Sequence, residues 1–198
     1  MSEIEQTTAD DRTSGPEFRL IKTVVMVGMM GAGKTGVGRA VAAKLQAPFL
    51  DSDAEIEAAA NLSVPEIFDR DGEVFFRKRE TEVIARLLDG QGGILSTGGG
   101  AFLAQANRDM ISRRGVSLWL NADLELLWSR VKHKDTRPLL RTPNPKATLG
   151  EIYEVRVPLY AQADLSVRCE AALSIDEMAD RVIETLAGRK DVLERIDA

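Results

Sequence analysis

Val24-Val25-Met26-Val27-Gly28-Met29-Met30-Gly31-Ala32-Gly33-Lys34-Thr35-Gly36-Val37-Gly38-Arg39-Ala40-Val41-Ala42-Ala43-Lys44-Leu45 reads as strand, phosphate loop and helix. The apolar run Val24–Val27 is a buried β-strand pattern, and an Ala-rich helical pattern follows the loop. Gly28, Gly33, Lys34 and Thr35 fill the fixed positions of G-x-x-x-x-G-K-[ST]. In that motif backbone N–H groups wrap phosphate, the lysine reaches the outer phosphates and the hydroxyl binds Mg²⁺. The helix opening at Gly33 adds its dipole and its unpaired N–H groups to the same anion site. Met29 and Met30 read as spacers.

Working outward, 198 residues with 44% hydrophobic content suit one domain with a substantial core. Net charge is −5. Glu3, Glu5, Asp10, Asp11 and Glu17 against Arg12 put most of it in the first eighteen residues. The body is then nearly neutral, which argues against a nucleic-acid surface. Residues 1–18 lack apolar periodicity and read as a disordered acidic leader, with neither the basic nor the apolar region of a signal peptide. No stretch approaches a membrane span. Cys169 is the only cysteine and His133 the only histidine, so an internal disulfide, a thiolate-rich metal site and a His cluster are excluded. The expectation is one soluble, cytoplasmic, monomeric domain over 19–188 with no nucleic-acid or membrane partner, followed by a frayed, charged tail over 189–198.

Apolar β-type runs recur at Pro48 to Leu50, Gly93 to Ser96, Val116 to Leu120 and Leu165 to Val167, separated by helical patterns. That alternation predicts an α/β domain with a parallel sheet covered on both faces. Ser63 with Glu66, and Ser174 with Glu177, are capping boxes opening helices. Gly72 should break the first of these helices in two, and Gly188 should close the second.

Phe49-Leu50-Asp51-Ser52-Asp53 places two carboxylates two residues apart at the C-terminal end of a strand, where open α/β sheets bind ligands. Asp53 reads equally as the N-cap of the helix that follows. Ile94-Leu95-Ser96-Thr97 then enters Gly98-Gly99-Gly100 without the acid that usually ends the Walker B strand, so Mg²⁺ needs other support. Asp51 is the candidate, leaving Asp53 to hold and polarise an attacking hydroxyl. The glycine triplet reads either as a flexible turn or as bare main chain against which a small ligand lies. Arg77, Arg137 and Arg156 are the candidate cations: Glu80 at i+3 can hold Arg77 in place, and Arg137 sits in a polar, Pro-containing segment, about 132–147, long enough for a lid.

With these pieces in order, the chain from about Val24 to Thr185 resembles shikimate kinases, in the nucleoside-monophosphate-kinase-like branch of phosphate-loop proteins. The resemblance rests on Gly28 to Thr35, Leu50-Asp51-Ser52-Asp53, Asp71-Gly72-Glu73 with Phe76-Arg77, Thr97 to Gly100, Thr136-Arg137-Pro138-Leu139 and Arg156-Val157-Pro158-Leu159-Tyr160. It implies a three-layer α/β/α fold with a five-stranded parallel sheet in the order 2-3-1-4-5. It also implies ATP as co-substrate, Mg²⁺ as cofactor and phosphorylation of the 3-hydroxyl of shikimate, a step of aromatic amino acid biosynthesis. Asp53, Arg77, Gly99, Gly100 and Arg156 would contact shikimate. Gly31, Ala32, Gly33, Lys34, Thr35, Gly36, Arg130 and Arg137 would contact ATP, and Thr35 and, through water, Asp51 would hold the metal. Asp53, Lys34 and Arg137 would carry catalysis. Cys169-Glu170-Ala171-Ala172-Leu173-Ser174 departs from the family, lacking the Asn/Arg and Pro often found in the loop against adenine. A gluconate kinase of similar size is the nearest rival enzyme, its substrate also a hydroxy acid. A nucleotide-dependent binding switch is the rival from another class, although the chain has no Asn-Lys-x-Asp guanine signature.

Overall fold

The computed structural model describes residues 18–133 and 138–196. Strand β1 spans Phe18–Leu20 and β2 Val24–Val27. Helix α1 (Lys34–Lys44), β3 (Phe49–Asp51), α2 (Ser52–Ala60), α3 (Val64–Leu88) and β4 (Ile94–Ser96) follow. After a 3₁₀ turn at Ala101–Leu103 come α4 (Gln105–Arg114), β5 (Val116–Asn121) and α5 (Leu124–Val131). A second 3₁₀ turn at Pro138–Leu140 leads into α6 (Pro145–Tyr160), β6 (Leu165–Arg168), α7 (Ile175–Ala187) and β7 (Leu193–Arg195).

Strands β3-β4-β2-β5-β6 form one parallel sheet in that order. Numbered without β1, this is the 2-3-1-4-5 order expected from the resemblance. Every residue of β2 and β4 is buried, as it must be in a parallel sheet with helices on both faces. Helix α1 packs on α7, and α3 packs on α4, which lies against β5. The hydrophobic core is built around Val24–Val27, Ile94, Leu95, Leu118 and Leu120.

Both capping boxes form: Ser63 and Ser174 accept from the backbone N–H of Glu66 and Glu177, whose carboxylates reach back to the cap N–H groups. Gly72, at φ 80° and ψ 170°, interrupts α3 as expected. Four expectations differ. Phe18, the last residue of the expected leader, opens β1 and pairs with Arg195, while residues 1–17 lie outside the described residues. The tail after Gly188 is not frayed throughout, because β7 pairs antiparallel with β1 and buries Val192 and Leu193. Its few apolar residues have a partner that local periodicity does not reveal. The lid segment expected up to residue 147 is shorter, since Asn144 caps α6 by accepting from Ala147 N–H. Met29 is a core residue as well as a spacer.

Candidate active site

The C-terminal ends of β2, β3 and β4 open onto a cleft of ≈ 510 Å³ lined by the phosphate loop, Asp51, Asp53 and Ser96 to Gly99. Its floor is the start of α1. Gly33, at φ 97°, occupies the N-cap position, and no side chain caps the helix. The first turn of α1 thus offers an anion its N–H groups and the positive end of the helix dipole. Lys34 Nζ donates to the carbonyls of Gly28 at 2.8 Å and Met29 at 3.0 Å, so it braces the loop it serves. Arg130 braces the other side, with Nη1 donating to the carbonyls of Gly31 and Ala32, each at 3.3 Å.

Asp51 and Asp53 take different parts. The N-cap of α2 is Asp51, whose Oδ1 accepts from Asp53 N–H at 3.0 Å and Ala54 N–H at 3.2 Å. The capping reading of Asp53 is thereby corrected. Asp53 lies in the first helical turn, not in extended chain beside Asp51, because the strand ends at Asp51. Its buried Oδ1 has no hydrogen-bond partner among the described residues. Burial first, then the charge of Asp51, pushes its carboxyl above the usual range, while Lys34 and Arg77 pull it back.

The glycine triplet gathers the remaining groups, one glycine at a time. The position a Cβ would take on Gly98 lies 3.0 Å from Asp53 Oδ1 and 3.3 Å from Glu80 Oε1. On Gly99 it lies 3.4 Å from Arg156 Nη1, 3.6 Å from the Tyr160 hydroxyl and 3.7 Å from the Gly28 carbonyl of the phosphate loop. On Gly100 it would overlap the Arg77 guanidinium. Only bare main chain lets two carboxylates and two guanidiniums converge here.

Arg77 is held in place as its spacing predicted. Nη1 donates to Glu80 Oε2 at 2.8 Å, and Nε donates to Glu73 Oε1 at 3.3 Å. Glu80 is fully buried, and burial raises its pKa against the opposing pull of Arg77. Tyr160 donates its hydroxyl to the Gly99 carbonyl at 2.5 Å and hydrogen-bonds with Arg156; burial raises its own pKa. Tyr160 appears in the sequence only as a piece of the Arg156 motif, because its partner is sixty-one positions away. Ser96, at the Walker B position, places Oγ 3.4 Å from Thr35 Oγ1.

No group of three or more His, Cys, Asp or Glu residues able to hold a metal occurs among the described residues. Thr35 and Ser96 bring their hydroxyls together, and Asp51, paired with Ser96 across β3 and β4, lines the same cleft; so few oxygens fit Mg²⁺, which keeps several waters and uses substrate phosphates as ligands. The far wall of the cleft is Cys169, Leu173, Ile175 and Met178. Ser174, at the same wall, spends its hydroxyl on the α7 cap. The Cys169 thiol, pushed up to about 11 by burial, stays protonated and donates to the Ala32 carbonyl at 3.9 Å. Arg137 lies outside the described residues.

A family model described as shikimate kinase matches residues 30–187. A shikimate kinase of Ruegeria pomeroyi is 66% identical over 194 residues, covering 98% of this chain and 99% of that one. A solved shikimate kinase of Acinetobacter baumannii, in complex with shikimate, superposes with a TM-score of 0.81 at 36% identity, over 86% of this chain and 95% of that one. A gluconokinase of Sinorhizobium meliloti, at 18% identity and TM-score 0.57 over 86% and 94% of the two chains, shares the fold alone. The phosphate loop, the glycine-gathered carboxylates and guanidiniums, and these likenesses agree: the chain belongs to the shikimate kinase family.

Proposed function

We propose that this chain transfers the γ-phosphoryl group of ATP to the 3-hydroxyl of shikimate, giving shikimate 3-phosphate and ADP. The observation that carries this reading is the convergence of Asp53, Arg156 and Arg77 on three successive glycines, with Gly99 also against the phosphate loop. A small ring with one carboxylate and three hydroxyls needs planar two-donor cations for the acid and an acceptor for a hydroxyl. Arg77 and Arg156 supply the first, and Asp53 supplies the second.

Lys34 and the first-turn N–H groups of α1 hold the phosphates. Thr35 and, through water, Asp51 would hold Mg²⁺, which when bound neutralises charge on the phosphate oxygens. Asp53 orients the 3-hydroxyl and accepts its proton as the bond from that oxygen to phosphorus forms and the bond to the leaving oxygen of ADP breaks. Lys34, joined by Arg137 from the lid, stabilises the charge on the group in transit. The nucleobase lies between Arg130 and the wall at Leu173 and Ile175, held by stacking and apolar contact. The enzyme acts in the cytoplasm as a monomer.

A coupled ADP-release assay against shikimate, gluconate and water tests this reading. Rapid release with shikimate and background with the other two is the expected result. Preference for gluconate, or equal release with water, overturns it.

A further inference from the structure

Seven consecutive carbonyls, from Gly98 to Ala104, all have hydrogen-bond donors inside the protein. Gly98 accepts from Ala101 N–H and Gly100 from Leu103 N–H, each at 3.1 Å. Ala104 accepts from the N–H groups of Asn107 and Arg108, each at 3.1 Å, and Gly99 accepts from Tyr160. The three in the middle rely on two side chains of α4. Asn107 Nδ2 donates to the Ala101 carbonyl at 2.8 Å. Arg108 Nη1 donates to those of Phe102 and Leu103 at 2.8 and 2.7 Å.

The choice of residues is costly for a mere connection. Both side chains are buried, and among the described residues Arg108 Nε and Asn107 Oδ1 have no hydrogen-bond partner. The Arg108 charge is spent on neutral carbonyls, with Nη2 donating to Gln105 Oε1 at 2.6 Å. Charged donors make stronger bonds than neutral ones and fix the acceptors more tightly. A buried cation held this way restrains the backbone of residues 101–103. Gly99 and Gly100, immediately before it, are the main chain against which Arg156 and Arg77 lie.

We propose that Asn107 and Arg108 are positioning residues for the acceptor substrate: by clasping the carbonyls of residues 101–103 they set the glycine triplet at the depth where shikimate, Arg77 and Arg156 meet. The role rests on the substrate reading above. Neither side chain lines the phosphate-loop cleft, which the clasped segment reaches only through Gly98 and Gly99, so the clasp acts through the acceptor side.

The test uses the full chain with Arg108→Met, Arg108→Lys and Asn107→Asp, the last an isostere without the donor. Arg108→Met should raise the shikimate KM by about tenfold to a hundredfold, the range for losing hydrogen bonds to a charged group. Nucleotide Kd measured without shikimate should stay within about twofold, the change expected where no nucleotide contact is lost. Arg108→Lys should restore much of the shikimate KM, and Asn107→Asp should raise it. Amide exchange should quicken over residues 98–103 in Arg108→Met and remain slow in α7. If Arg108→Met does not fold, Asn107→Asp decides by the same two readouts. An unchanged shikimate KM, or a nucleotide Kd that rises by the same factor, overturns the proposal. Absence of shikimate turnover in the wild type would instead count against the substrate reading, and the exchange measurement would still decide the clasp.

Discussion

Arg77 and Glu80 form a pair at 2.8 Å in which the carboxylate side chain is 1% exposed and the guanidinium side chain 33% exposed. The buried anion fixes a cation whose remaining surface faces the glycine triplet. Gly100 itself has an ordinary helical backbone, φ −87° and ψ −16°, so alanine there meets no conformational strain. The three atoms nearest its methyl would all belong to the Arg77 guanidinium, which would have to shift from its place beside Glu80. Gly100→Ala should therefore fold, with a melting temperature lowered only by the strain on the Arg77–Glu80 contact, and raise the shikimate KM by about tenfold or more, the scale for disturbing a desolvated charge contact. Nucleotide affinity should be unchanged. Steady-state kinetics beside a thermal melt checks this.

Asp53→Asn leaves the α2 cap intact, because Asp51 is the cap. It also replaces one buried carboxylate oxygen by an NH₂ group that can donate, in a place where Asp53 Oδ1 and Glu80 Oε1 both lack a partner among the described residues. Stability should hold or rise while kcat falls by about 10²–10⁴, the usual scale for losing a positioned base. The pH profile gives a second check. In the proposed role Asp53 works only when ionised, and its folded-state pKa is raised, so the acid limb of kcat/KM should lie above the ordinary aspartate value of 3.8. Asp51→Asn should move that limb down by removing a like charge. The same raised pKa means the native state binds the Asp53 proton more tightly than the unfolded state does. Its contribution to stability should then decline as pH rises from the unfolded to the folded value, and stay constant above.

Lys34→Met removes a charge directed at phosphate and also two bonds that brace Gly28 and Met29. Turnover should fall by at least about 10²–10³, as for losing one strong electrostatic donor. A small loss of stability should accompany it, read as roughly 2–4 °C of Tm per kcal/mol for a domain of this size. Wild-type-like turnover would mean the loop is not catalytic.

Leu193, 2% exposed in β7, packs into the main core although the tail around it is charged. Leu193→Ala should cost roughly 2–5 kcal/mol of unfolding free energy, as buried Leu→Ala changes do. Denaturant melts measure it, and kcat of the folded fraction should not change.

What was legible in the chain were features with local signatures. The phosphate loop, both capping boxes, the Gly72 break, the apolar strand runs and the Arg77–Glu80 pair are each set by residues within one short stretch of chain, whereas the order of the strands came from the resemblance. Less legible were groups joined across long separations. Tyr160 on Gly99, β7 on β1 and Arg130 on the phosphate loop carry no local period. Asp53 was ambiguous for a different reason: a carboxylate near a helix start suits a cap and a ligand equally well. Only the backbone assigns the cap to Asp51.

The central claim is that Arg77 and Arg156 hold the substrate's carboxylate, and the direct measurement is kcat/KM for shikimate against its carboxamide analogue in wild type, Arg77→Ala and Arg156→Ala. Losing one partner of a buried charge pair costs roughly 2–5 kcal/mol, about thirtyfold to several thousandfold. Wild type should strongly prefer the acid, each variant should lose most of that preference, and lysine should restore little because a point charge lacks the two-donor fork. Variants that discriminate as well as wild type would place the carboxylate elsewhere and contradict the account.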